Sequence, residues 1–285
     1  VVLGNNVVLD KYAFNMDKDE AYDVANYDEN GEKYFYYAFS SALKELTIGD
    51  NAVIGDNAFA GHASLETVSL GAGAKLGYMA FYNCSSLKNI DLSQVLSFGD
   101  YALSGDVYYI CLDENMSVAA VSGDGKYMYT YHGPAIEKAE LLSATEIGEY
   151  AFAYCRDMTE VVLNENITEL PQYIFAGCET LQTIDLSRIT KVGDYAFIEC
   201  HNLAAADLSA AETIGQYAFV YCKALDNVTL RAEGATIGEG AFSYCESLSA
   251  VQNMGAVTKI DGYAFSYTAL TEADLTAAVE LGDYV

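Results

Sequence analysis

Cysteine, histidine and clustered acid are the residue types in this chain that could bind metal or do catalysis. Their spacing points elsewhere. Six of the seven cysteines, Cys84, Cys155, Cys178, Cys200, Cys222 and Cys245, fall three residues after a recurring large apolar residue. No Cys-x-x-Cys pair is present, and no histidine cluster lies near them, as a zinc site would require. In a regular stack of strands ~4.8 Å apart, side chains from one slot run parallel, whereas a disulfide needs Cβ atoms ~3.8 Å apart. We therefore expect buried free thiols acting as small hydrophobes. Cys111 lies off this register, in the alternating run Ile110-Cys111-Leu112, where a solvent-facing position is expected.

The three histidines, His62, His132 and His201, are far apart in the chain. His62 takes the cysteine slot of one copy and reads as a packing substitute. Nucleophile-elbow, phosphate-loop and zinc-protease motifs are all missing. The run Asn26-Tyr27-Asp28-Glu29-Asn30-Gly31 matches the first half of a calcium loop, but its twelfth position would be Tyr37, not Glu. A turn is the simpler reading. Gly71-Ala72-Gly73-Ala74-Lys75-Leu76-Gly77 misses the dinucleotide fingerprint, whose third glycine comes one residue earlier. No catalytic residue, metal ligand or cofactor site is assigned.

The elements that position these residues follow from one repeated unit, written clearly in Ile237–Val251. Its anchor is Phe14, Phe39, Phe59, Phe81, Phe152, Phe175, Phe197, Phe219, Phe242 or Phe265, with Leu103 filling the slot once. Alanine precedes the anchor in ten of eleven copies, tyrosine lies two before it in eight, and glycine four before it in seven. A Leu-x-x-Ile-x-Leu run follows, as in Leu87, Ile90 and Leu92. From Phe152 onward the anchors are 22 or 23 residues apart, the signature of a leucine-rich repeat solenoid.

The expected fold is α/β: one short parallel strand per ~22-residue repeat, with the Tyr-Ala-Phe segment as a short helical or 3₁₀ turn on the convex side. Glycine is expected to let the chain turn before it. Each repeat buries its apolar face only against its neighbours. Residues 1–285 then form a single domain. Alternating runs around Gly123-Asp124-Gly125 predict a β-hairpin insertion at 113–135, with Tyr127, Tyr129 and Tyr131 on one face. The chain starts and stops inside a repeat, as a fragment of a longer protein would.

The copies at Ile147–Leu163, Val192–Leu208 and Ile214–Leu230 resemble the BspA-like, Treponema-type leucine-rich repeat family of bacterial surface proteins. That family's repeat reads Ile-Gly-x-Tyr-Ala-Phe-x-x-Cys-x-x-Leu-x-x-Ile-x-Leu, and the likeness runs along nearly the whole chain. The usual proline after the strand is replaced here by Ser93, Asn164, Ser187, Ser209 and Arg231. The resemblance implies a secreted or cell-surface location, adhesion to host or bacterial proteins, and no catalytic residues.

Charge narrows the partner class. With 41 Asp and Glu against 14 Lys and Arg, the net charge is −27, which excludes a nucleic-acid surface; such acidity keeps an extended surface soluble, or prefers a cationic partner such as a basic protein, or Ca²⁺. No apolar run approaches the ~20 residues of a membrane helix. In each Ile-x-Leu the middle residue should project from the concave sheet: Thr47, Ser69, Asp91, Val162, Asp185, Asp207, Thr229, Gln252 and Asp274. Of these, Asp91, Asp185, Asp207, Thr229 and Asp274 are the candidate ligand-binding residues, with Asp185 and Asp207 as direct neighbours. Twelve such strands would run ~55 Å along the stack. The alternative function is a structural stalk that presents another domain.

Overall fold

The structure is a computed structural model and describes residues 1–11, 13–14, 24–27, 33–36, 43–105, 107–111, 127–131 and 133–285. It is a stack of coils in which a regular repeat adds two strands rather than one. The longer strand carries the alternating pattern: in Glu45–Ile48, Leu46 and Ile48 point inward and are buried while Glu45 and Thr47 face out. The second is a two-residue strand just before the glycine, such as Lys191–Val192, Thr213–Ile214 and Thr236–Ile237. Within each sheet, both kinds pair in parallel, in register, with the same element of the next coil.

Among the described residues there is no α-helix, and the α/β expectation is corrected to an all-strand solenoid. One 3₁₀ turn, Met254–Ala256, is present. The backbone around Phe197 shows why the Tyr-Ala-Phe segment does not coil. Tyr195, Phe197 and Glu199 send their N–H groups across to Gln216, Ala218 and Val220 of the next coil. Ala196, Ile198 and Cys200 send theirs back three residues within their own coil. Alternating donors cannot build a helical ladder, and Tyr195 and Glu199 sit at φ 56° and 61°, which ends any right-handed helix. The segment is a chain of β-turns.

The glycine four before the anchor also acts differently from expectation. Gly215 has no positive φ; a Cβ there would stand 2.6 Å from Asp194 Oδ1 and 2.7 Å from the Asp194 nitrogen. Close approach of successive coils, not turning, excludes a side chain.

Among the described residues, ten coils stack their anchors into one column. Phe175–Phe197, Phe197–Phe219, Phe219–Phe242 and Phe242–Phe265 have ring centroids 5.0–5.6 Å apart. Leu103 fills its slot fully buried. Phe14 stacks directly on Phe59 at 5.0 Å, which leaves no slot between them for Phe39. Phe39 itself lies outside the described residues. Among the described residues between Phe14 and Phe59, Val24–Tyr27 pairs antiparallel with Lys33–Tyr36. Asn26 and Tyr27 of the half calcium loop are thus strand residues, and the rest of that run lies outside the described residues. Tyr127–Tyr131 pairs antiparallel with Val107–Cys111, and the Ala120–Ser122 run lies outside the described residues. The side chains of Cys111 and the three strand tyrosines are not among the described ones.

The cysteine column is buried and its six members are free thiols. Each one donates from Sγ to the anchor carbonyl of the preceding coil, as in Cys222 to Phe197 at 3.1 Å and Cys200 to Phe175 at 3.2 Å. The Phe197 carbonyl also accepts the Cys200 N–H at 3.1 Å, so both of its lone pairs are used. Desolvation pushes the Cys84 and Cys245 thiols up to about 12 and raises the other four as well. Iodoacetamide should leave all six unmodified in the native protein and label them after unfolding; mass spectrometry of native-labelled peptides checks this.

His62 occupies the same column in its coil, buried, with its ring edge against Phe59 and Nδ1 3.4 Å from the Ala60 carbonyl. Desolvation lowers its pKa, so the folded ring stays neutral where the unfolded one already takes a proton. Stability should therefore be complete above pH ~6.5 and decline as pH falls below it, until the folded ring also protonates. Denaturant titrations of the native chain and His62→Cys across pH 5–8 isolate this: the variant should lack that share of the acid loss.

Candidate functional site

The long strands form three parallel sheets among the described residues. The first joins Val2–Leu3, Glu45–Ile48, Thr67–Leu70 and Asn89–Ile90; the second joins Lys138–Leu141, Glu160–Leu163 and Thr183–Ile184; the third joins Ala205–Leu208, Asn227–Leu230 and Ala250–Gln252. The expected twelve-strand face is thus ten strands in three pieces.

Of the candidate residues, the structure brings Asp207 and Thr229 together. They are register partners, and Thr229 in turn faces Gln252. Asp207 and Gln252 are exposed and Thr229 half-buried. Asp185 is exposed but does not adjoin Asp207 through a ladder, because the sheet is interrupted between Thr183–Ile184 and Ala205–Leu208. Asp91 follows the last strand of the first sheet, and Asp274 lies beyond the last strand of the third.

The aspartates share a role that the spacing Asp-x-Ser encodes and that the outward-facing reading overlooks. Asp91 Oδ1 accepts the Ser93 N–H at 2.9 Å, and Asp207 Oδ1 accepts the Ser209 N–H at 3.1 Å. Asp185 accepts from both the N–H and the Oγ of Ser187, at 3.0 and 2.6 Å, and Asp274 accepts the Thr276 N–H at 3.1 Å. Each is an Asx turn that folds the chain off the strand. Hydrogen bonds from Ser93 and Ser187 hold the Asp91 and Asp185 carboxyls below the usual carboxylate range. In each, Oδ1 serves the turn, and all four aspartates are exposed. Arg188 Nη2 stands 3.9 Å from Asp185, a well-exposed pair that contributes little.

Sequence reasoning noted the tyrosine slot but assigned it nothing. Tyr101, Tyr150, Tyr173, Tyr195 and Tyr217 stack face to face, with centroids 4.3–5.2 Å apart. A second column runs through Tyr221, Tyr244 and Tyr267 at 4.7 and 4.4 Å. All eight have positive φ. The left-handed backbone costs each ~1–2 kcal/mol, and ring stacking of ~0.5–1.5 kcal/mol per pair offsets much of it. Where the first column breaks, Gly240 at φ 58° takes the slot, and a Cβ there would meet the Tyr217 ring at 2.3 Å. Tyr217 instead donates its hydroxyl to Glu239 at 2.6 Å. The signal that could have revealed this was tyrosine in eight of eleven copies at a site two before the anchor.

Six copies of the BspA type leucine-rich repeat region match residues 28–118 and 145–272. The chain belongs to this family. Solved structures similar to it include a leucine-rich repeat protein of T. pallidum, 14% identical, covering 92% of this chain and 90% of that one with a TM-score of 0.43. Another, from Bacteroides ovatus, is 17% identical over 97% of this chain and 83% of its own, also at 0.43. A third, from Eubacterium ventriosum, is 17% identical over 84% and 81%, at 0.47. No curated protein sequence matches the chain. No helix among the described residues is long and apolar enough to cross a membrane.

Proposed function

We propose that this chain is a non-catalytic protein-binding module of a secreted or cell-surface bacterial protein, and that the outward face of its long strands receives the partner. The observation that carries this reading is the register of Asp207, Thr229 and Gln252, three polar side chains in adjacent strands. Membership of a leucine-rich repeat family, whose proteins commonly bind proteins, supports it. Asp91, Asp185 and Asp274 are exposed carboxylates that follow the long-strand positions of their coils, and a net charge of −27 makes a basic partner the complementary one.

The test is capture of a partner from host matrix or neighbouring bacterial surface proteins, followed by titration. Asp185→Asn with Asp207→Asn keeps the oxygen that each Asx turn needs while removing two charges. Affinity should fall roughly 3–10-fold, at up to ~1 kcal/mol for each exposed pair, and weaken with added salt. Glu165→Gln with Glu233→Gln, on exposed turns, should leave it unchanged. Equal affinities for the two double variants would remove the face from consideration. Capture of no partner would favour a stalk that holds another domain away from the cell.

A further inference from the structure

The final complete coil departs from the others by one residue. Its anchor Phe265 is followed by Leu270 after five positions, whereas Phe175 to Leu181, Phe197 to Leu203, Phe219 to Leu225 and Phe242 to Leu248 each span six. The cysteine slot holds Thr268, whose Oγ1 bonds the Phe265 carbonyl of its own coil at 2.9 Å instead of reaching to the previous one. Leu270 still packs on the core, and farther along Asp274 touches Gly255, where a Cβ would stand 2.4 Å from its carboxylate. Between those two pins the chain forms no strand, and no backbone hydrogen bond links residues 270–274 to Ala250–Gln252. The same coil keeps its two-residue strand in place, with Glu280–Leu281 paired to Lys259–Ile260. The opening is therefore local to the long-strand sheet. It forms a half-open groove of about 800 Å³ whose one wall is the edge strand Ala250–Gln252 and whose other wall carries Glu272 and Asp274.

We propose that this groove takes up an extended, lysine- or arginine-bearing peptide segment as an added parallel or antiparallel strand on Ala250–Gln252. An edge strand presents a row of backbone N–H and C=O groups that want a ladder partner, and strand addition to such an edge supplies affinity through main-chain hydrogen bonds. The missing ladder partner is about three residues long, ~10 Å of extended chain, and the volume lies within the ~300–1,000 Å³ range of ligand sites. Charge selects the occupant. The lining holds two carboxylates, the amides of Gln252 and Asn253, and no lysine or arginine. A second copy of this chain, at net −27, is disfavoured on the same ground. The site is an edge and not a face, and it shares only Gln252 and Asp274 with the binding surface proposed above.

The probe is a fluorescein-labelled peptide, Thr-Lys-Val-Lys-Val-Lys-Thr, titrated into the full chain by fluorescence anisotropy. It should bind. The same peptide N-methylated at alternate amides, on the edge that would face the strand, should lose about tenfold or more, since its ladder hydrogen bonds are gone. A glutamate-for-lysine version should not bind measurably. In the protein, Glu272→Gln with Asp274→Asn should weaken the lysine peptide several-fold and flatten its salt dependence. A serine inserted between Ala269 and Leu270 restores the six-residue spacing, closes the ladder and should abolish binding while raising the melting temperature. The N-methylated peptide leaves the protein unaltered, so its result does not depend on any variant folding. Undiminished binding of that peptide, failure of the lysine peptide to bind, or its capture only by a dimer of the chain in sedimentation would each overturn the proposal. If affinity instead follows Asp185→Asn with Asp207→Asn, the peptide sits on the face; the edge proposal then fails while the face reading stands.

Discussion

Phe197→Ala should destabilise the chain by ~3–5 kcal/mol, the range for truncating a buried aromatic side chain. Phe197 is fully buried and stacks on both sides, against Phe175 at 5.6 Å and Phe219 at 5.0 Å. Truncation removes one ring from a continuous column, and the neighbours cannot close the gap. The coil spacing is fixed by backbone bonds such as Phe197 N–H to the Ala218 carbonyl and by the Cys222 thiol on the Phe197 carbonyl. A cavity therefore persists. Because each coil contacts only its neighbours, the loss should be felt locally. Hydrogen exchange should quicken first in the coils anchored at Phe175, Phe197 and Phe219, and leave the coils of Phe59 and Phe81 near native protection. Denaturant unfolding that changes by less than ~1 kcal/mol, or protection lost uniformly along the chain, would contradict a stack built from nearest-neighbour contacts.

The column was readable because, from Phe152 onward, phenylalanine recurs every 22 or 23 residues in one interior slot. Two kinds of information were not. A period cannot say whether a copy is threaded through the stack or looped out of it. Phe39 has the right neighbours, Tyr37 and Ala38, yet Phe14 already lies against Phe59. Backbone hydrogen bonding also leaves no mark in an apolar pattern. The Tyr-Ala-Phe segment has helix-compatible composition, but its alternate N–H groups are claimed by the next coil, and left-handed tyrosines make turns of it. For the candidate face, alternation in the Leu-x-x-Ile-x-Leu runs marked one residue per coil, and the ladder sets Asp207 beside Thr229. The sheet interruption that keeps Asp185 out of register with Asp207 was not legible, since both strands carry the same pattern. The groove had a signal, the five-residue spacing from Phe265 to Leu270, but a single deletion says nothing of where the chain goes.

Gly215→Val should cost as much as a core truncation, about 3 kcal/mol or more, for the opposite reason. Overpacking a site closed by backbone costs typically ~1–3 kcal/mol, occasionally more, and here the blocking atoms are the Asp194 nitrogen and the Gly193 carbon at 2.7 Å, with Asp194 Oδ1 at 2.6 Å. Asp194 cannot simply swing away, because that oxygen accepts the Gln216 N–H at 2.8 Å. Admitting a side chain at Gly215 therefore means separating two coils, which stretches the Lys191–Val192 to Thr213–Ile214 pairing on one side and the tyrosine stack on the other. Gly234 supplies the contrast. It has φ 67° and open space around its Cβ position, so its constraint is conformational alone. Substituting Ala there should cost ~1–2 kcal/mol for the left-handed backbone, and Asn, which tolerates that region, should recover part of it. At Gly215 the order must invert: Ala is the least harmful replacement, and Asn and Val are both worse, because volume and not φ is what the site refuses. Thermal melts of the six single variants, Ala, Asn and Val at each position, separate the two causes. Rescue of Gly215 by Asn would mean that its backbone, and not the approach of the neighbouring coil, selects glycine.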